Sequence, residues 1–326
     1  MHYLITGGAG FLGSHLADRL LAEGARVTVL DDFSFGRQSN LAGARRYPGF
    51  ACVRGSVCDR ALVARCVADA DVVVHFAAAI GVEHVSRRPL PALLGNVHGS
   101  LAVLRAAARH GRPVLLASSS EVYGQDAAPA REDDAVCLGP TPDARWGYAC
   151  AKAMDEWLAY AYARDRGLPV RIVRFFNVAG PRQRRARGAV LPRLAWQALR
   201  GLPLTVHGDG TQTRCFCHVR DAIEAVVRLL RAPAAGGEVV NVGSDAEVAI
   251  LDLAARVRAL AGSTAPITFV PRAEARGRAA DVRRRVPDLG KLRALTGYVP
   301  ATPLDAIIAD VLADLRARAA RAAAVR

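Results

Sequence analysis

The sequence predicts an α/β protein, a doubly wound parallel sheet with a smaller C-terminal α/β domain. Three observations predict it. The N-terminus reads strand, glycine turn, helix; apolar runs then alternate with long helical patterns; and after about Asn177 the pattern breaks into shorter elements richer in Pro, Gly and Arg. Alternation of strand and helix means crossover connections, and these build a parallel sheet covered on both faces.

The first element, His2 to Thr6, is a short apolar strand, and Gly7-Gly8-Ala9-Gly10-Phe11-Leu12-Gly13 leads from it into helical periodicity over Ser14 to Glu23. This is the context a dinucleotide turn requires. Gly7 allows the tight turn, Gly10 lets the backbone approach a pyrophosphate at the helix N-terminus, and Gly13 lets helix and strand pack closely. A second strand, Arg26 to Leu30, ends at Asp31, whose carboxylate is placed to accept from both ribose hydroxyls and would repel a 2′-phosphate. Asp31 is expected to outweigh the nearby Arg37, so the cofactor is NAD rather than NADP. The sheet is therefore Rossmann-type. Its later strands are predicted at Val72 to Phe76, Val114 to Ser118 and Val170 to Phe175, with helices at Leu90 to Arg109 and Ala144 to Arg166. Residues 1–176 form the NAD-binding domain and 177–326 mainly the substrate-binding domain, with segments of about 215–242 packing back on the first. The Ala/Arg-rich stretch from Leu315 to Arg326 reads as a helix end or a frayed terminus.

Of the 44 basic residues only two are lysine, and one, Lys152, follows Tyr148 by four positions. Where arginine serves almost every other need for positive charge, a lysine suggests a task for a compact ammonium. Residues four apart share one helix face, so the ammonium can stabilise the Tyr148 phenolate, lower its pKa and donate to a ribose. A plain amphipathic lysine would have the same spacing.

The formal charge of +14 at pH 7 admits nucleic-acid binding. The arginines are nevertheless spread along the chain, clustering only at Arg182 to Arg187 and Arg283 to Arg285, and either cluster suits the diphosphate of a small substrate better. No nucleic-acid partner is expected. The chain enters its first strand at once, which argues against a signal peptide, and its longest apolar run is too short for a bilayer. Seven cysteines, an odd number without framework spacing, suggest reduced thiols and a cytoplasmic location. Cys215-Phe216-Cys217-His218 lacks a second ligand pair, so buried cysteines are expected there and no metal.

Together the glycine turn, Asp31, Ser118-Ser119-Ser120-Glu121-Val122-Tyr123-Gly124, the Tyr148/Lys152 pair and Arg174-Phe175-Phe176-Asn177-Val178-Ala179-Gly180-Pro181-Arg182-Gln183 resemble the extended short-chain dehydrogenase/reductases that modify nucleotide sugars. Gly208 to Arg214 and His218-Val219-Arg220-Asp221 continue the resemblance over nearly the whole chain. It implies a bound NAD that removes a hydride from C4 of the sugar and returns it later. The expected cofactor set is Gly7, Gly10, Phe11, Leu12, Gly13, Asp31, Asp32, Arg37, Ser56, Val57, Ala77, Ala78, Tyr148 and Lys152. Ser56 stands where many relatives carry an aspartate near the adenine.

Within that family Ser119 occupies the Ser/Thr position that bonds the C4 hydroxyl. The 4,6-dehydratases follow it with an Asp-Glu pair; here Ser120 replaces the Asp. The Ser-Ser-Glu order, Arg145-Trp146 and Arg214-Cys215-Phe216 look most like UDP-glucuronate decarboxylases. The resemblance implies catalytic roles for Ser119, Glu121, Tyr148 and Lys152, and a UDP-sugar substrate contacted by Asn177, Arg214 and Arg278. Val85 departs from the pattern, standing where a tyrosine is expected near the sugar carboxylate, and Arg87, His84 or Arg88 is the substitute. Glu121 could equally brace the Tyr148 helix. A 4-epimerase would use the same Ser119, Tyr148 and Lys152, and a non-enzymatic NAD sensor or RNA-binding protein would need none of them.

The two long helices are expected to pair across a two-fold axis as a homodimer, through Leu101 and Leu104 on one and Trp157 and Leu158 on the other. Trp146, Met154 and Trp157 read as packing residues, and Asn96 as a structural bond to strand backbone.

Overall fold

The structure is a computed structural model that describes residues 1–80, 85, 87–185, 189–271 and 282–324. Seven strands form one parallel sheet: β1 (His2–Thr6), β2 (Arg26–Asp31), β3 (Phe50–Arg54), β4 (Val72–His75), β5 (Val114–Ser119), β6 (Val170–Phe175) and β7 (Val239–Val242). All five residues of β1 are buried, because helices cover both faces and leave no polar side for alternation to mark.

The spatial order is β7-β6-β5-β4-β1-β2-β3. Ile5 of β1 pairs with Val29 on one side and Val74 on the other. Strand order reverses between β1 and β4, and the crevice beyond their C-terminal ends is where a doubly wound sheet binds its ligand.

The helices are α1 (Phe11–Ala22), α2 (Arg60–Ala68), α3 (Pro89–His110), α4 (Ala144–Arg166), α5 (Val190–Leu199), α6 (Val219–Arg231), α7 (Ile250–Ala261), α8 (Gly290–Thr296) and α9 (Leu304–Ala324). Leu16 and Leu20 of α1 share a core with Val226 and Leu229 of α6. Val63 of α2, Val103 of α3 and Ala159 of α4 share another on the opposite face. A third core joins Leu191 and Leu194 of α5, Leu253 and Val257 of α7, and Ile308 and Val311 of α9. The chain after Asn177 thus builds its own core, yet α6 returns to α1 and β7 pairs with β6, Val239 opposite Ile172. Another long-range pairing sets Arg284–Pro287 beside Asp126–Ala130, with Arg285 opposite Ala127.

Several boundaries differ from the sequence expectation. Helix α1 begins at Phe11 rather than Ser14, because Gly10 itself is the N-cap. Strand β4 stops at His75 and β5 continues to Ser119. Leu104 does not lie on an outer stripe: it is wholly buried in the core between α3 and the sheet. Leu158 is half-buried against the same core. Met154 and Trp157, read as packing residues, are 45% and 69% exposed, whereas Trp146 is buried. Asn96 is structural as expected, donating to the Ala79 carbonyl and accepting its N–H at 2.6 Å. Among the described residues no helix is long and apolar enough to cross a membrane.

Candidate active site

The glycine turn lies at the head of β1. Gly7 has φ 69°, and a Cβ there would stand 2.7 Å from the Ala77 nitrogen, so the turn backs directly onto the end of β4. A Cβ on Gly13 would stand 2.5 Å from the Gly7 carbonyl oxygen. Both are places where only a bare backbone fits. Helix α1 starts at Gly10 with no side-chain cap and no acidic residue in its first turn, which leaves its first N–H groups suited to an anion. Phe11 and Leu12 occupy that first turn.

Asp31 is buried and accepts the Ala9 N–H at 2.9 Å and the Phe33 N–H at 2.8 Å. Burial pushes its carboxyl above the usual range, and the two backbone bonds oppose that. Its oxygens therefore fix the glycine turn to the end of β2, with lone pairs left over for further donors. Exposed Asp32 accepts from Ser34 at 2.8 Å. Arg37 joins the turn through its backbone, donating to the Ala9 carbonyl at 3.0 Å. Ser56 accepts the Cys58 N–H at 3.2 Å, and Val57 packs near Gly99 of α3. The Ala77 N–H donates to Thr6 Oγ1 at 3.3 Å, with Ala78 following. The uncapped helix start, the bare-backbone turn and the strand-end acid fit a dinucleotide such as NAD.

The second half of the site lies at the C-terminal end of β5 and on α4. The Ser119 hydroxyl lies close enough to half-buried Tyr148 to favour its phenolate, and Ser119 Oγ accepts the Glu121 N–H at 3.2 Å. Lys152 is buried one turn along α4 and donates to the Ala117 carbonyl at 2.9 Å. The sequence expectation of a lowered Tyr148 pKa needs correction. Burial raises it; Lys152 and then Ser119 pull it down, Glu121 and Asp155 push it up, and the net direction is upward. Desolvation of the phenolate outweighs one ammonium when acids stand nearby.

Three ion pairs escaped sequence reasoning. Lys152 also donates to Asp155 at 3.1 Å. Arg174 of β6 forms a two-pronged pair with Glu156 at 3.0 and 2.8 Å, both buried, and the Ser118 hydroxyl donates to the same Glu156. Arg285 donates to Glu121 at 2.8 Å and to the Gly124 carbonyl at 2.6 Å. Its side chain is 5% exposed and that of Glu121 is 19%. The first pair was available from i,i+3 spacing on a helix; the last depends on a pairing of distant strands and leaves no local signal.

The substrate candidates are less gathered. Exposed Asn177 follows β6, and its carbonyl accepts the Cys217 N–H at 3.2 Å. Half-buried Arg214 donates to the Thr213 carbonyl at 2.6 Å. Arg87 is exposed just before α3, while Val85 is buried. Arg278 and His84 lie outside the described residues. The two arginine clusters are used in part by the fold itself: Arg182 pairs with Asp18 at 2.6 Å, Arg185 lies over the Trp196 ring at 3.8 Å, and Arg284 pairs with Glu247 at 2.8 Å. Parts of both clusters are thus engaged within the chain itself. Cys215 and Cys217 are buried on short strands, and burial pushes the Cys215 thiol up to about 12.

Three comparisons with known proteins bear on this site. The sequence model of the NAD dependent epimerase/dehydratase family matches residues 3–243. The chain is 38% identical over 302 residues to a UDP-N-acetyl-alpha-D-glucosaminuronate decarboxylase of Bacillus cytotoxicus, covering 91% of this chain and 92% of that protein. It is 36% identical over 303 residues to UDP-glucuronic acid decarboxylase 1 of Danio rerio, covering 93% and 69%. Among solved structures it superposes on the UDP-glucuronic acid 4-epimerase of Bacillus cereus, in complex with UDP-glucuronic acid and NAD, with a TM-score of 0.87. That pair is 29% identical, covering 98% of this chain and 100% of that one.

Proposed function

The chain belongs to the NAD dependent epimerase/dehydratase family, and we propose that within it the chain decarboxylates UDP-glucuronate through a 4-keto intermediate, giving UDP-xylose or a UDP-4-keto-pentose. The observation that carries this reading is a glutamate built into the site. Glu121 stands two residues after the Ser119 that lies beside Tyr148, and Arg285 holds its carboxylate at 2.8 Å. Relatives named as decarboxylases at 36% and 38% identity support the same reaction.

NAD is the cofactor, and when bound it supplies the hydride acceptor at C4 and later the hydride donor. Gly7, Gly10 and the start of α1 would hold its pyrophosphate and Asp31 its ribose. Tyr148, as phenolate, takes the proton of the C4 hydroxyl, beside a Ser119 hydroxyl that orients the same oxygen. Lys152 supplies the positive charge that opposes the cost of the buried phenolate. Once C4 is a ketone, the C5 carboxylate is β to it. The bond to the carboxylate carbon breaks, carbon dioxide leaves, and the electron pair passes into an enolate. Ser119 and Tyr148, now protonated, donate to that oxygen. Glu121, with Arg214 and a water, orients the sugar and manages protonation at C5. Asn177, Arg214, Arg278 and Arg87 are the proposed substrate contacts.

The test is carbon dioxide release and product mass from UDP-glucuronate with NAD, run beside the 2-acetamido uronate because one relative is named for it. Loss of carbon dioxide from the wild type, absent in Tyr148→Phe, is expected. A new isomer of unchanged mass would replace this reading with 4-epimerisation, the second reading favoured by the likeness to the Bacillus cereus enzyme.

We propose further that the protein is a homodimer in a reducing, cytoplasmic setting. Support comes from Leu90, Leu94, Met154 and Trp157, exposed on the paired helices α3 and α4, and from seven cysteines of which none is bonded to another. A monodisperse monomer at micromolar concentration in sedimentation would refute the dimer.

A further inference from the structure

A buried ammonium needs a partner, because taking the charge out of water costs several kcal/mol unless it is paired. Lys152 has two that are resident in the chain: the Ala117 carbonyl at 2.9 Å and Asp155 Oδ2 at 3.1 Å. Its side chain is 4% exposed and that of Asp155 is 0%. Burial pushes the Asp155 carboxyl above its ordinary pKa, and Lys152 and then the nearby Ser100 hydroxyl of α3 pull against that without reversing it, while Oδ1 itself has no well-formed hydrogen bond. From Ser100 the contacts run on to His75 Nε2 at 3.1 Å, and from His75 Nδ1 to Thr6 Oγ1 at 2.7 Å. Thr6 Oγ1 in turn accepts the Ala77 N–H at 3.3 Å. A carboxylate on α4 is thereby tied to the ends of β1 and β4, where the glycine turn backs onto Ala77.

We propose that Asp155 is a positioning residue for the C4 oxidation step, a buried counter-charge that holds the Lys152 ammonium in one place beside Tyr148 and sets how much of its positive field the tyrosine feels. Asp155 touches no reacting atom; it acts through Lys152. The inference rests on the reading of Tyr148 as the base.

The charged and titratable groups facing this pair are Tyr148 and Glu156 on α4, Glu121 after β5, His75 at the end of β4, and Arg174 of β6 beyond Glu156. His75 is pushed down to about 3 by burial and then by Lys152, so it stays neutral at working pH. Glu156 is occupied by Arg174 at 2.8 Å and Glu121 by Arg285 at 2.8 Å. Asp155 is thus the acid bonded directly to the lysine. Burial works against the charge on Lys152, but Asp155 and then Tyr148 outweigh it, and the ammonium is held above its ordinary pKa. On Tyr148 the two neighbours oppose one another, Lys152 lowering and Asp155 raising.

Removing the Asp155 charge leaves Lys152 less opposed, and Tyr148 ionises at lower pH. In Asp155→Asn the acid limb of kcat/KM moves down by on the order of one pH unit. The phenol carbon of Tyr148, followed by 13C NMR of labelled tyrosine without substrate and assigned with Tyr148→Phe, moves the same way. Asp155→Glu keeps the charge but displaces it, so its acid limb stays at the wild-type pH while kcat falls roughly tenfold. An Asp155→Asn enzyme with an unmoved limb and an unmoved resonance would overturn the proposal. So would an unfolded Asn variant beside a Glu variant of wild-type kcat, which would make Asp155 a counter-ion for folding alone. Oxidation at C4 is shared by decarboxylation and 4-epimerisation, and the NMR titration needs neither. Failure of the decarboxylase reading therefore leaves this test intact.

Discussion

The two sides of the site are built differently. Tyr148, Lys152 and Asp155 sit on α4 within two turns of one another, so a single helix sets their spacing. Glu121 follows β5, and its partner Arg285 comes from a strand 164 residues further on, beside Asp126–Ala130. In the proposed mechanism the local side supplies the base and its counter-charges for oxidation at C4, and the assembled side supplies the acid that would distinguish decarboxylation. A reaction type shared by a family can rest on helix periodicity, whereas the distinguishing acid depends on how the second half of the chain folds back onto the first.

That contrast breaks if the assembled side proves dispensable. Glu121→Gln should lower carbon dioxide release by about a hundredfold, within the range for loss of a general acid or base, while NADH still forms from UDP-glucuronate. Equal loss of both signals would make Glu121 part of the oxidation machinery and erase the division. A smaller effect is expected from Arg285→Met, roughly tenfold on carbon dioxide release, with a stability loss of about 1–3 kcal/mol from an acid and a carbonyl left without their donor. Arg285→Lys restores the charge but not both hydrogen bonds, since a guanidinium reaches Glu121 and Gly124 together where an ammonium is a single point. If Arg285 acts only through Glu121, the double variant Glu121→Gln, Arg285→Met releases carbon dioxide no more slowly than Glu121→Gln alone. Additive losses would give Arg285 a separate contact with the substrate.

The same division explains what was legible in the sequence. The spans His2–Thr6, Val170–Phe175 and Ala144–Arg166 are read correctly because apolar runs and helical periodicity are local signals. The glycine turn was legible for the same reason, since strand, turn and helix are contiguous. Leu104 was misplaced because an outward and an inward leucine on an amphipathic helix differ by one position in three or four, and the neighbour that decides the matter is the sheet. Met154 and Trp157 stand exposed rather than packed within the chain, which for Trp157 is what the outer stripe expected of its helix requires. The partners of the clustered arginines were not legible because adjacency along the chain says nothing about them: Arg284 turns to Glu247 and Arg285 to Glu121, from successive positions of one strand.

A test of stability rather than turnover probes the buried chain that joins the local side to the cofactor turn. His75 bonds Thr6 and Ser100 through its two ring nitrogens, at 2.7 and 3.1 Å, and is wholly enclosed. Its pKa is pushed from the ordinary 6.5 down to about 3 in the folded protein, by burial first and Lys152 second. Above pH 6.5 the ring is neutral whether the chain is folded or not, so it adds no pH dependence there. As pH falls below 6.5 the unfolded chain takes up a proton that the folded one refuses, and folding stability drops by about 1.4 kcal/mol for each pH unit until the folded pKa is reached. His15 and His218 are also depressed and add slopes of their own, so the contribution must be read as a difference. Denaturant unfolding of the wild type and of His75→Gln, a side chain that still offers one donor and one acceptor, should give curves of stability against pH that converge as pH falls from 6.5 toward 4. Parallel curves would mean that the folded protein admits a proton at His75, and the neutral link between Ser100 and Thr6 would not hold.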